Sequence, residues 1–138
     1  MSGIFHELGP QKVIETLPFA RFLNVSLKLC GDELTMSLPY RPELIGNPLI
    51  PALHGGVIGA FMEMTAMAQL AYKEKFDHLP KPINATVQYL RTGKALETFA
   101  RAKLKRVGRT IANVEVSAWQ EEMAAPIASL QAHFLLVP

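Results

Sequence analysis

GGVIGAFMEMTAMAQLAY, from Gly55 to Tyr72, decides the reading of this chain. It is rich in Ala and Met, has no proline, and its strongly polar side chains are Glu63, Thr65 and Gln69. That composition predicts a helix apolar nearly all round, which must be buried in protein or in lipid. At 1.5 Å per residue the stretch would span about 27 Å, close to the thickness of a bilayer core. A glutamate at its midpoint would cost about 3 kcal/mol there, and the chain on both sides reads as amphipathic strands. A helix wrapped by a sheet is the better reading.

Upstream, Val25, Leu27 and Leu29 alternate with Ser26, Lys28 and Cys30. A Gly31-Asp32 turn follows, and Leu34, Met36 and Leu38 then alternate with Thr35 and Ser37. This period of two predicts a hairpin with one buried face. Before it, Val13, Ile14 and Leu17 give Pro10 to Leu23 a helical pattern that Pro18 should end or bend. The stretch PYRPELIGNPLIP (Pro39 to Pro51) reads as an ordered loop. Downstream, Ile83, Ala85, Val87 and Tyr89 alternate with Asn84, Thr86 and Gln88. Further strands are expected at about Ala95–Arg106, Thr110–Gln120 and Ile127–Val137, and short connections favour antiparallel neighbours. The expected architecture is α+β: one antiparallel β-sheet wrapped around one long central apolar helix. It forms a single domain over 1–138, with a helical segment at 1–22 packed on it.

The bulk numbers agree. The chain has 138 residues, 49% hydrophobic and 19% charged, with a net charge of +2. That is long enough for a core without metal or disulfide staples and too apolar for a disordered chain. The single cysteine, Cys30, excludes an internal disulfide and reads as a packing thiol in a reducing compartment. The N-terminus lacks the pattern of a signal peptide. A cytoplasmic protein is expected. His6, His54, His78 and His133 have no metal-ligand spacing, so no metal is expected. No phosphate-loop, dinucleotide or GxSxG signature occurs.

Three features could carry chemistry. A carboxylate at the middle of a buried helix must be paired, protonated or exposed to a cavity, so Glu63 is either a core partner or a general base or nucleophile. His54-Gly55-Gly56 lies at the helix start, where unshielded N–H groups and the helix dipole could hold an oxyanion; the bland alternative is a tight turn with His54 as cap. Gly56 and Glu63 should share a helical face but stand about 10 Å apart along the axis. One chain therefore reaches a single carbonyl awkwardly with both, and a homodimer with composite sites is expected. Third, the segment from Arg91 to Arg109 holds seven basic residues and one acid, +6 against −4 for the remainder. Arg101, Lys103 and Lys105 alternate along one strand face. This reads as a solvated face or a phosphate rim. Interleaved aromatics are too scarce for nucleic acid.

The segment Asn47 to Glu63, NPLIPALHGGVIGAFME, resembles the signature of hotdog-fold thioesterases of the phenylacetate-pathway (PaaI-like) type. The later stretch VQYLRTGKALETFARAKLKRVGRTIANVEV is similar to the same family. The resemblance covers about Pro18 to Pro138. It implies an acyl-CoA thioesterase, acting on a small-to-medium apolar or aromatic acyl group, in a dimer or a dimer of dimers. No cofactor is implied, because coenzyme A enters as part of the substrate. By the same resemblance Gly55 N–H would polarise the thioester carbonyl with Gly56 nearby. Asn47 would offer its amide, His54 would support the loop, and the partner chain's Glu63 would activate water or attack. Arg91, Arg106 and Arg109, with Gly108 in their turn, match positions near the coenzyme A phosphates. Three departures are visible: the acid is Glu where Asp is commoner, Asn47 lies seven residues before His54, and counting gives Pro82 where some relatives carry a water-positioning Ser or Thr early in the strand after the helix, which leaves Asn84 or Thr86 as substitutes. The alternatives are a hotdog hydroxyacyl-CoA or acyl-carrier dehydratase and a non-catalytic acyl-CoA binding protein. Phe61, Met62, Met64, Leu49 and Ile50 are the residues expected to line an acyl pocket.

Overall fold

The computed structural model describes residues 9–74 and 78–138. His6 and the first eight residues of the expected helical segment lie outside them. The rest of that segment forms two helices, α1 (Pro10–Thr16) and α2 (Pro18–Leu23), not one bent helix. Leu17 between them is extended at φ −87° and ψ 113°, as the residue before a proline prefers. Val13, Ile14, Ala20 and Leu23 anchor the pair in the core.

The hairpin is β1 (Ser26–Cys30) and β2 (Glu33–Leu38), turned at Gly31, whose φ of +61° suits a residue without a Cβ. Its burial is one-sided. Leu34, Met36 and Leu38 are fully buried, but most of β1 is exposed, and Cys30 with it. The packing-thiol expectation is therefore corrected: β1 is an edge strand, and its last residue projects beyond the core.

The proline-rich stretch is more ordered than expected. It holds a 3-10 turn, Pro42–Leu44, and a miniature ladder of β3 (Ile45–Asn47) with β4 (Ala52–Leu53). Strands of three and two residues are too short to show a period in sequence. The apolar helix α3 (Gly55–Lys73) follows, and then β5 (Lys81–Tyr89), β6 (Thr98–Val107), β7 (Ile111–Trp119) and β8 (Ala128–Leu135).

All six long strands form one antiparallel sheet in the order β1-β2-β6-β7-β8-β5. Its concave face presents Ala100, Ala112, Ala118, Ala128 and Ala132, all fully buried. Small side chains there let α3 lie close to the strands and seat Phe61, Met62 and Leu70 with no exposure. Each such large side chain contributes about 1.5–3 kcal/mol by leaving water. Phe61, Met62 and Met64 are thus core residues and not the pocket lining expected of them.

The helix packs over β6, β7 and β8 and barely reaches β5. This last strand pairs with β8 on one side, no described residue pairs its other edge, and eight of its nine residues are exposed. A second irregularity sits in β6. The register with β7 slips between Leu104 and Arg106, so Arg101, Lys103 and Arg106 face outward opposite Ser117, Glu115 and Asn113. Lys105 takes the extra place, and the expected Arg101-Lys103-Lys105 stripe is broken there.

Candidate active site

The start of α3 is built from three close approaches. Leu53 N–H donates to Gly93 O and His54 N–H to Leu44 O, both at 2.8 Å, which ties the loop to its neighbours on either side. His54 then caps the helix: its Nδ1 accepts from Gly56 N–H at 2.9 Å. Beneath it passes Gly46, where an added Cβ would stand 2.7 Å from His54 Cα. No side chain can yield at that distance, because the obstacle is backbone. We expect Gly46→Ala to destabilise the fold by about 1–3 kcal/mol, read as a lower midpoint in chemical denaturation. An unchanged midpoint would mean that the loop can move aside.

The His54 cap revises the role of the two glycines. Gly56 N–H is occupied within the chain, whereas Gly55 N–H makes no hydrogen bond among the described residues. Only the first of the pair is open to a ligand. Asn47 stands on β3 with its Oδ1 accepting from Leu49 N–H at 3.0 Å, so its amide nitrogen is what it can still offer.

Glu63 lies two turns along α3. Gly56, Gly59, Ala60 and Glu63 are the less buried positions on one helical stripe, within a helix otherwise buried from Phe61 to Ala71. The Glu63 carboxyl makes no hydrogen bond or ion pair among the described residues, and burial raises its pKa above the usual carboxylate value. Its place relative to β5 follows from two contacts. Tyr89 packs on Gly55, and Val87 lies 3.8 Å from a Cβ added to Gly59. Two strand residues and four helix residues cover nearly the same distance, about 6 Å. One further step sets Ala85 beside Glu63, at the middle of the exposed strand.

Beside Gly55 opens a cleft of about 440 Å³, lined chiefly by Ile50, Leu53, Ile58, Tyr89, Leu90 and Arg91. The lining is largely aliphatic and aromatic, with Thr92 and Arg91 as its polar members, and Arg91 Nη1 donates to Pro126 O at 2.6 Å. Of the expected pocket residues only Ile50 belongs here. Tyr89 was missed from sequence: its inward position was legible, but not that its strand crosses the first turn of α3. Glu63 does not line this cleft.

The remaining candidates lie elsewhere in the chain. Arg106 and Gly108 border a second cleft, of about 400 Å³, with Thr110, Asn113 and His133. That cleft is at the opposite end of the sheet from Arg91, about 30 Å away along β6. Arg109 is exposed in the turn after it. Asn84 and Thr86 pair with His133 and Gln131 and project from the outer face, with Asn84 Oδ1 3.0 Å from His133 Nδ1. Within one chain none of these residues meets Gly55 or Glu63. Arg101 is tied to Glu33 at 2.7 Å and to Thr35 at 2.8 Å. Among the described residues no three His, Cys, Asp or Glu side chains gather as a metal site, and no helix is long and apolar enough to cross a membrane.

Residues 51–127, which run from the loop before α3 almost to β8, match the model of the thioesterase superfamily. The chain belongs to the thioesterase superfamily. Its solved relatives share the hotdog architecture of a sheet curled around one helix. A Chromobacterium violaceum protein is 32% identical over 91% of this chain and 88% of its own, with a TM-score of 0.74. A Pseudomonas aeruginosa protein is 21% identical over 93% and 96%, with a TM-score of 0.81. A phenylacetic acid degradation-related protein from Ralstonia eutropha is 19% identical over 91% and 98%, with a TM-score of 0.77. The last two likenesses concern the fold alone. None of the curated proteins compared matches the chain. Membership in the thioesterase superfamily makes a thioester the expected class of substrate.

Proposed function

We propose that this protein is an acyl-CoA thioesterase that works as a homodimer, with each site shared between two chains. The observation that carries the reading is the Glu63 carboxyl: half-buried, without a partner among the described residues, on the open stripe of a helix whose first N–H is likewise unpaired among them. A buried carboxyl with no internal partner is retained at a cost, and hydrolysis gives it a use. Water adds to the thioester carbon while Glu63 takes its proton, and Gly55 N–H holds the oxyanion. The C–S bond then breaks, and the proton returns to the departing thiolate. Direct attack by the carboxylate, followed by hydrolysis of the resulting anhydride, would use the same atoms.

The sharing follows from the strand edge. The outer edge of β5 has no pairing strand among the described residues, and the strand carries exposed Ile83 and Tyr89, with Leu49, Ile50 and Leu90 also exposed. An apolar edge of this kind is normally covered. Pairing two β5 strands antiparallel would set the Arg106–Arg109 end of one chain beside the Gly55 end of the other. Arg91 and the partner's basic turn could then hold the phosphates of one coenzyme A. Glu63 of each chain, on α3 and level with the middle of β5, would approach the other's oxyanion site. Coenzyme A is part of the substrate in this scheme, and no resident cofactor or metal is invoked. The apolar cleft at Gly55 suits an apolar or aromatic acyl group of small to medium size. A cytoplasmic setting is consistent with an exposed, unpaired Cys30.

The test is a panel of short, medium, long and aromatic acyl-CoAs, followed by release of free thiol. Turnover of at least one class is expected. Tight binding of coenzyme A esters with no thiol released from any of them would replace the enzyme with a binding protein.

A further inference from the structure

We propose that Tyr89 is a positioning residue that sets the direction of the Gly55 amide. The inference rests on the thioesterase reading above and adds a residue to it. Two glycines in succession leave the first turn of α3 with unusually soft backbone torsions. An oxyanion donor is effective only if it is aimed before the charge develops. Something outside the pair must therefore hold it.

The structure supplies that hold from two directions. Tyr89 Oη donates to Gly55 O at 2.8 Å, and His54 Nδ1 accepts from Gly56 N–H at 2.9 Å. These are the two ends of a single peptide unit, so its plane is pinned at both. Pinning that plane limits rotation about the Gly55 Cα–C bond. The Gly55 N–H itself belongs to the preceding peptide unit, whose carbonyl, His54 O, accepts from Val57 N–H at 3.0 Å and Ile58 N–H at 3.2 Å, and it is unpaired among the described residues at the wall of the cleft. The Tyr89 ring adds a steric limit. It lies so close to Gly55 that an added Cβ would meet its Cζ at 3.2 Å and its Oη at 3.3 Å. The aromatic face blocks one side of the glycine, and the hydroxyl fastens its carbonyl.

A merely structural role would also use this contact, to pin the end of the exposed strand β5 to the helix. The two roles separate in Tyr89→Phe, which keeps the ring and loses the hydroxyl. Positioning predicts a kcat lowered about tenfold, with KM changed less than twofold and the melting temperature nearly constant. In protein labelled with 15N-glycine, the order parameter of the Gly55 amide should fall while those of distant glycines hold. An unchanged kcat together with an unchanged Gly55 order parameter would overturn the proposal, as would a parallel loss of stability and of order throughout β5. The glycine measurement needs no turnover. If the wild-type protein hydrolyses no acyl-CoA, the enzyme reading fails, while the Gly55 signal in Tyr89→Phe still decides whether the clamp exists.

Discussion

Glu63→Gln is expected to bind coenzyme A thioesters as tightly as the wild type and to release thiol at least about 10³-fold more slowly. The amide has the shape of the carboxyl but can neither take a proton from water nor attack a carbonyl. Burial raises the Glu63 pKa, and this sets the sign of two pH effects. The ionised form is the active one, so hydrolysis should rise with pH through the raised value and then level off. Stability runs the other way. The folded state holds this proton more tightly than the unfolded state does, so below the ordinary carboxylate range the group costs nothing. Its penalty grows as pH climbs from there through the raised value. At neutral pH the glutamine variant should therefore melt no lower than the wild type. Thiol release retained within tenfold, at any pH, would remove Glu63 from the chemistry.

Ala85→Glu should have the second largest effect. Ala85 is exposed, on the side of β5 that faces α3, where the spacing from Tyr89 and Val87 would bring it level with Glu63, so a single folded chain accommodates the change in solvent. A dimer paired along β5 does not. It would gather two new carboxylates with two Glu63 side chains near one axis, and like charges at such separations repel strongly when partly desolvated. Sedimentation should give the 15.2 kDa mass of one chain, with circular dichroism unchanged and thiol release reduced more than about 100-fold. A variant that stays dimeric and active would show that the strand edge is not the contact, and with it the shared site would fall.

The central helix was legible because its apolar character runs all round, a pattern with few alternatives in a chain this size. The strands were legible by their period, although β6 begins at Thr98 and not near Ala95, since Lys94 and Gln120 instead cross-bond through a loop. The β3–β4 ladder was hidden because two and three residues carry no period. The Lys105 bulge was hidden for a related reason: a one-residue slip is set by the neighbouring strand, not by the local pattern. Glu63, His54 and Gly55 stood out as candidates because a charge in an apolar helix and a glycine pair at its start are conspicuous. The division of labour between the glycines was not, since it depends on the rotamer of His54. Tyr89 escaped for a different reason. Inward aromatics are ordinary in strands, and only the crossing of β5 over the helix start makes this one matter.

In the proposed dimer the bare flank of β5 would also bear on the life of the molecule before it meets a second copy. Newly made chains would emerge singly, and until two of them paired each would carry an open row of amide hydrogens and carbonyls flanked by oily side chains. Yield in a host cell should depend on how quickly copies collide. Slow synthesis or scarce message would favour clumping with foreign strands over productive association.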